Sequence, residues 1–268
     1  TTDSVKICPE CGSRFISGFR AGTQQIEERI HQLFPEARVL RMDADTTRSK
    51  ESYEQILSAF ANKEADILVG TQMIVKGHDF PDVTLVGIVA ADLSLSVGDY
   101  RSSERTFQLL TQAAGRAGRG DKPGEVVIQT YQPEHYAVVH AAKQDYRSFY
   151  EEEILYRELM EYPPVCHMLA VLVASGEEQR AKELSGQLSG LLEQQTGFSG
   201  QPKSQIRVFG PAPAGIGKVK DIYRFVFYVK SRQYDDLVRV KDRLEAYLKA
   251  HPLKNETVQF DFDPMNGF

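Results

Sequence analysis

Apolar residues in the first half of the chain follow two different spacings. Positions such as Ile26, Ile30 and Leu33 recur every three or four residues, which places one apolar stripe along a helix. Short continuous apolar runs lie between such stripes, and runs of this length predict buried strands. The pattern predicts a helix that starts at Thr23, a second that includes residues 53–60 and a third over residues 101–114. It predicts strands at residues 39–42, 67–69, 84–90 and 126–130. Strands that alternate with helices indicate βαβ units and a mostly parallel sheet, an α/β architecture.

The second half begins with a charged helical stretch over residues 133–160, which Pro163 and Pro164 bring to an end. Beyond the prolines, the pattern predicts strands at residues 167–174, 206–209, 223–229 and 258–262. It predicts helices at residues 177–193 and 234–248. This β-α-β-β-α-β order is typical of the ferredoxin-like α+β fold. We therefore expect an α/β domain at residues 16–132, a helical connector at 133–164 and an α+β domain at 165–268.

Composition narrows the class of protein. The 268 residues are 41% hydrophobic and 26% charged, as in ordinary globular proteins. The sequence has no apolar run near the roughly 20 residues that cross a bilayer and no signal peptide, so we expect no membrane association. Three cysteines are too few and too unevenly placed for a disulfide framework, which fits a cytoplasmic protein. The net charge of −5 implies that any contact with DNA depends on a local basic patch.

Cys8 and Cys11 lie in a CPECG turn, where two thiolates separated by two residues can share one zinc ion. A structural zinc site needs four ligands, and no histidine follows Cys11 at zinc-finger spacing. The remaining cysteine, Cys166, lies far along the chain in an apolar segment and is interpreted as a core thiol. Residues 1–15 are therefore predicted to be the stub of a zinc-binding module, with the chain beginning inside a larger protein. A chance CxxC on a flexible end is the alternative.

The most informative segment is QAAGRAGRG, which starts at Gln112 and contains Arg116 and Arg119. If the predicted helix continues through it, the two guanidinium groups project from one face, and the glycines leave that face open to close approach. Two planar guanidinium groups can hold the terminal oxygens of a triphosphate and offset the charge that develops during phosphoryl transfer. An exposed basic helix end is the alternative.

A second cluster of polar residues follows the predicted strand at residues 67–69. Gly70, Thr71 and Gln72 come first, and Lys76, Gly77 and Asp79 follow before Pro81. Open α/β sheets build their ligand sites at the carboxyl ends of strands, so this segment is a candidate site. The pattern is weak alone and strong when the arginine segment follows it at this separation.

These segments resemble motifs V and VI of superfamily 2 helicases. Several further segments occur in the order of one family within that group: CPECGS from Cys8, GT at Gly22, DADTT from Asp43, DYRSSER from Asp99 and DFDP from Asp261. Together they resemble the PriA family of bacterial replication-restart helicases over nearly the whole chain. The resemblance implies a RecA-like second helicase lobe followed by a ferredoxin-like C-terminal domain. It also implies a 3′–5′ DNA helicase that recognises stalled forks and reloads the replication machinery through primosome assembly.

The resemblance also implies roles for individual residues. Arg116 and Arg119 would act on the γ-phosphate of ATP, and Gln112 would couple nucleotide state to lobe position. Gly77 and Asp79 would line the nucleotide side of the cleft. DNA contacts would fall to Thr71, Gln72 and Lys76. Cys8 and Cys11 would complete a zinc site with cysteines outside this chain.

A basic patch in the predicted C-terminal domain is a second candidate DNA contact. It consists of Lys218, Lys220 and Arg224, with Tyr223 available for base stacking. A solvated loop beside a strand is the alternative. The resemblance implies that this domain binds branched and single-stranded DNA, the single-stranded-DNA-binding protein and other primosome proteins, and that the protein is monomeric.

No GxxxxGK[ST] segment and no DExH segment occur in the sequence. ATP and its magnesium would therefore be held mainly by a lobe outside this chain, and the isolated chain is predicted to hydrolyse no ATP. Two other interpretations remain open: the second lobe of another superfamily 2 helicase, such as an RNA helicase, and a non-catalytic DNA-binding module.

Overall fold

The computed structural model describes residues 22–75, 80–95, 98–193 and 206–267. These residues divide into two units. One contains residues 22–86 with Gln112–Val126, and the other contains Gly87–Thr111 with residues 127–267. The predicted site residues Cys8, Cys11, Lys76, Gly77 and Asp79 lie outside the described residues.

Helices and strands alternate along the first half. The order is α1 (Thr23–Leu33), β1 (Val39–Met42), α2 (Lys50–Ala61), β2 (Ile67–Gly70), a 3₁₀ helix (Gln72–Val75), β3 (Leu85–Ile88), α3 (Asp92–Leu95), α4 (Ser102–Ala114) and β4 (Glu125–Ile128). The second half contains α5 (Tyr136–Ala142), α6 (Tyr146–Met160), β5 (His167–Ser175), α7 (Glu178–Glu193), β6 (Arg207–Val219), β7 (Ile222–Ser231), α8 (Tyr234–Ala250) and β8 (Thr257–Phe262).

The strands of the first half pair in parallel, as their alternation with helices predicts. β1 pairs with β2 from Val39 opposite Ile67 to Met42 opposite Gly70. β3 lies beside β4. The amide of Glu125 donates to the carbonyl of Thr84 and that of Gln129 donates to Ile88, both at 2.8 Å. The equal offset of the two bonds means that these strands also run in the same direction. The predicted α/β architecture is confirmed.

Two small cores hold these elements. In the first unit, Met42, Leu57 and Phe80 are buried, and the rings of Phe60 and Phe80 meet edge to face with centroids 5.0 Å apart. In the second unit, α4 packs against α5 and α6. The core there contains Phe107 and Phe149, whose rings stack with centroids 4.1 Å apart.

The last four strands form one antiparallel sheet in the order β6-β7-β5-β8. This order, with α7 and α8 as the two crossing helices, confirms the predicted ferredoxin-like α+β fold. The apolar core between sheet and helices comprises Leu169, Val171, Val173, Leu188, Leu192, Phe227, Val229, Leu237, Val240 and Leu244. Burying side chains of this size stabilises the fold by about 1.5–3 kcal/mol each.

One strand is much longer than the apolar pattern predicts. β6 continues past Phe209 through Pro211 and Pro213 to Val219, where the sequence suggests a loop. Proline has no amide proton to donate, so a strand tolerates it at the edge of a sheet or at a bulge. β6 is an edge strand, and its register with β7 shifts at both prolines.

Within the described residues, no helix is both long enough and apolar enough to cross a membrane.

Candidate nucleotide and nucleic-acid site

The two motif arginines lie beyond the end of a helix rather than on its face. α4 ends at Ala114, and both Arg116 and Arg119 belong to the turn that follows. The predicted end of this helix at residue 114 is confirmed, so the helical arrangement that would place both guanidinium groups on one face does not apply to them. Gly118 has a φ of +71°, which a right-handed helix excludes, and its amide donates to the carbonyl of Val83 at 3.0 Å.

The glycines of this turn bring backbone segments together. A Cβ on Gly118 would lie 2.7 Å from the amide nitrogen of Gly124, and a Cβ on Gly120 would lie 2.5 Å from the carbonyl oxygen of Pro81. Contacts that short cannot exist, so only glycine fits either position. These glycines allow the arginine-bearing turn to lie against the backbone of Pro81, Val83 and Gly124.

The turn presents polar side chains to solvent. The Arg119 side chain is exposed, and its Nε donates to the carbonyl of Gly115 at 2.6 Å, which orients the guanidinium group along the turn. Arg116 is half-buried, and Gln112 lies on the exposed face of the last turn of α4. These three residues lie within a stretch of eight positions, which suits them to contact one polyanionic ligand.

A second polar cluster lies where β1 and β2 end. Thr71 and Gln72 directly follow β2 and are exposed, as the sequence predicts for residues at the carboxyl end of a parallel strand. The amide of Thr71 donates to the carbonyl of Met42, the last residue of β1. A Cβ on Gly70 would lie 2.4 Å from that same carbonyl oxygen, so glycine allows the two strand ends to converge.

Asp43 lies at this edge, and sequence reasoning assigned it no role. Its carboxylate accepts a hydrogen bond from the Thr23 hydroxyl and bonds at 3.0 Å from the amides of Asp45 and Thr46. The bond from Thr23 lowers the pKa of Asp43 most, against the opposing effect of burial, and Arg41 lowers it further. Asp43 therefore joins the start of α1 to the end of β1. The polar DADTT run directly after a strand is the signal that marks such a turn.

The three basic residues of the predicted C-terminal patch meet at the tip of the β6–β7 hairpin. Lys220 and Asp221 form the two-residue turn and both have positive φ, as a type I′ turn requires. Lys218 is exposed, lies 3.0 Å from Asp221 and packs over the Tyr223 ring at 4.6 Å. Arg224 donates to the carbonyl of Ile216 at 3.4 Å. The patch is thus a small, exposed, basic tip with one aromatic ring.

Cys166 is buried and unoxidised, as the interpretation of a core thiol predicts. Its sulfur donates to the carbonyl of Glu161 at 2.6 Å, and burial raises the pKa of the thiol. Among the residues that the structure describes, no three His, Cys, Asp or Glu side chains are grouped closely enough to hold a metal ion.

Comparison with known proteins accounts for both halves of the chain. A family model described as the helicase conserved C-terminal domain matches residues 15–121. A second, described as the primosomal protein N C-terminal domain, matches residues 158–265.

Several individual proteins with the name replication restart protein PriA match nearly the whole chain. The chain is 42% identical over 258 residues to the replication restart protein PriA of Bacillus subtilis, 40% over 261 residues to that of Synechocystis and 37% over 268 residues to that of Chlamydia pneumoniae. These matches cover 96%, 97% and 99% of this chain and 31%, 30% and 35% of the relatives. The chain thus spans about a third of the length of the curated relatives it matches. It belongs to the PriA family, of which it carries the second helicase lobe and the C-terminal domain.

Proposed function

We propose that this chain forms the second motor lobe and the C-terminal domain of an ATP-dependent 3′–5′ DNA helicase. The helicase would recognise stalled or branched replication forks and restart replication by primosome assembly. One observation carries the proposal: a helicase domain and a primosomal-protein domain occur in one chain, in the order found in proteins named for replication restart.

In this proposal, Arg116 and Arg119 contact the γ-phosphate of ATP, and Gln112 transmits the state of the nucleotide. The donor set suits that ligand, since two guanidinium groups offer several N–H donors and fixed positive charge to phosphate oxygens. Bound ATP with its magnesium would supply the phosphoryl group, held mainly by a lobe outside this chain. Gly77 and Asp79 would line the same side of the cleft.

DNA would contact two separate surfaces. Thr71, Gln72 and Lys76 follow the β2 strand and would meet the phosphate backbone. The hairpin tip with Lys218, Lys220 and Arg224 would meet branched or single-stranded DNA, with Tyr223 as a stacking surface. The C-terminal domain would also bind the single-stranded-DNA-binding protein and other primosome proteins. We expect a cytoplasmic monomer.

We also propose a zinc site that this chain completes in part. Cys8 and Cys11 supply two thiolates, which is half of the four ligands that a structural zinc site requires. The other two ligands would come from residues outside this chain.

The proposal is tested by Arg119→Ala in the full-length protein. Losing an arginine that contacts the γ-phosphate should lower DNA-stimulated ATP hydrolysis by about 10³-fold or more, because that charge stabilises the transition state. The affinity for DNA should change less than twofold. Arg147→Ala is the matched control, since Arg147 is exposed and forms an ion pair with Glu151, one helical turn further along α6. Normal hydrolysis by Arg119→Ala would refute this role. Stimulation by RNA instead of DNA would indicate another superfamily 2 helicase.

A further inference from the structure

The first turn of α4 and the residues just before it are bonded to residues 264–267. The Tyr100 hydroxyl donates to the carbonyl of Pro264 at 3.1 Å, and Arg105 donates to the carbonyl of Met265 at 2.9 Å. The amide of Gly267 donates to the carboxylate of Asp99 at 3.0 Å. These three bonds join segments about 160 residues apart in sequence.

Asp99 lies at the centre of this contact. Its side chain is 2% exposed, and it forms an ion pair with Arg105. Its second oxygen accepts from the amide of Arg101, two residues further along the chain. A carboxylate this deeply buried is stable only because charged and polar donors surround it.

A buried arginine of the connector helix holds the same turn from another side. The Arg157 guanidinium donates through Nη2 to Glu104 and through Nε to Glu153, both at 2.7 Å. Its remaining terminal nitrogen, Nη1, donates to the carbonyl of Pro163 at 2.8 Å. The side chain is only 9% exposed. One planar group therefore connects α4, α6 and the two-proline junction in three different directions.

An aromatic ring completes the connection to the C-terminal domain. Tyr162 stacks on Tyr100 with centroids 5.2 Å apart and planes 15° from parallel. The ammonium group of Lys230, on β7, lies 3.6 Å from the centre of the Tyr162 ring and donates to the carbonyl of Met160. Tyr162 thus contacts Tyr100, just before α4, and Lys230 of the ferredoxin-like sheet.

α4 is one continuous helix, and its two ends serve different purposes. Its first turn, which begins at Ser102, makes the contacts described above. Its last turn ends at Ala114, two residues before Arg116. Thirteen residues span about 20 Å at 1.5 Å per residue. The ladder of backbone hydrogen bonds along α4 links its first turn to its last.

We propose that these contacts form a clamp through which the C-terminal domain positions the motif arginines. The clamp consists of Arg157, Tyr162 and residues 264–267, closed on residues 99–105. Arg157 and Tyr100 are positioning residues, since they act through α4 on Gln112, Arg116 and Arg119. This inference rests on the proposed function, and it adds that the C-terminal domain sets the rate of ATP hydrolysis.

Two conservative variants of the full-length protein test the clamp. Arg157→Lys keeps the charge but cannot donate along three fixed directions. Tyr100→Phe keeps the stacked ring and removes the bond to Pro264. We expect amide hydrogen exchange in α4 to rise at least fivefold in Arg157→Lys and by a smaller factor in Tyr100→Phe. The kcat of DNA-stimulated hydrolysis should fall in the same order, at least fivefold in Arg157→Lys, with KM for ATP and Kd for DNA within twofold.

Arg147→Lys is the control, because Arg147 lies on α6 as Arg157 does. It should change neither the hydrogen exchange of α4 nor kcat. Unchanged exchange in α4 of both test variants overturns the clamp. Faster exchange with unaltered kcat overturns the link to hydrolysis. A fall in kcat that comes with a higher KM for ATP and weaker DNA binding also overturns the link to hydrolysis, because it indicates general unfolding. If the unaltered protein hydrolyses no ATP, the proposed function fails, while faster exchange in the variants still supports the clamp itself.

Discussion

At the scale of single residues, glycines decide where the motif arginines lie. Gly118 combines a φ of +71° with a backbone neighbour too close for any side chain, and Gly120 meets the same limit against Pro81. The sequence marks these glycines as sites of close approach. It does not reveal that the approaching group is this protein's own backbone.

We predict that Gly118→Ala destabilises the first unit. The left-handed conformation alone costs an alanine about 1–2 kcal/mol, and the collision with Gly124 adds to it. Gly186→Ala is the matched control. Gly186 lies within α7 with no atom near its missing Cβ, so alanine should stabilise the chain by about 1 kcal/mol. Urea denaturation of both variants measures the two effects, and equal stability of Gly118→Ala and the parent would contradict the prediction.

Glu104 should make the stability of the chain depend on pH. Burial alone would raise the pKa of Glu104, but hydrogen bonds and charges from Arg101 and Arg157 lower it from 4.5 to about 2. A pKa that is lower in the folded state stabilises the fold above the unfolded value, and this contribution is lost as pH falls from about 4.5 towards 2.

We therefore expect Glu104→Gln to lower the free energy of unfolding by about 1–2 kcal/mol at pH 7, after allowance for solvent screening. The difference from the parent chain should shrink between pH 4.5 and pH 3. Urea denaturation at pH 7 and pH 3 checks this. Glu158→Gln, on the exposed face of α6, should show no such change. A difference that stays constant down to pH 3 would exclude the ion pairs as its cause.

At the scale of elements, local signals account for where helices begin. α2 starts at a capping box in which Ser49 accepts from the amide of Ser52, and the Ser52 side chain accepts in return from the amide of Ser49. Such a cap uses only residues three apart, so it depends little on the rest of the fold.

Ser49→Ala should cost about 1 kcal/mol, because it leaves an amide of the first turn without a partner. Ser58→Ala, at an exposed position inside the same helix, should be neutral or slightly stabilising, because alanine favours helices. Thermal melting of the two variants compares them directly. A melting temperature for Ser49→Ala equal to that of Ser58→Ala would show that the cap does not contribute.

The length of β6, in contrast, depends on the position of the strand in its sheet. β6 runs on through Pro211 and Pro213 because it lies at the edge of its sheet, where a missing amide proton costs no ladder bond. The edge position follows from the strand order, which the apolar pattern of β6 does not specify.

At the scale of the whole molecule, the net charge of −5 limits DNA binding to local surfaces. We predict that the chain binds a fluorescent branched DNA more tightly than a plain duplex of equal length, at low and at moderate salt. Lys220→Ala should weaken binding to both and reduce the salt slope by about one, as for the loss of one phosphate contact. Lys249→Ala, at an exposed position near the end of α8, should leave both unchanged. Equal affinity for the two DNAs would assign fork recognition to regions outside this chain.

The sequence by itself determined the succession of helices and strands, the two fold classes and the family. Those features depend on residue periodicity and on short motifs, which are properties of neighbouring positions. Only the tertiary structure decided that the turn after α4 packs against Pro81 and Gly124, that β6 extends along the sheet edge and that Arg157 donates to Glu104. The bond between Tyr100 and Pro264 joins residues 164 positions apart. Such contacts form only when packing of the cores brings distant segments together, so no local pattern specifies them.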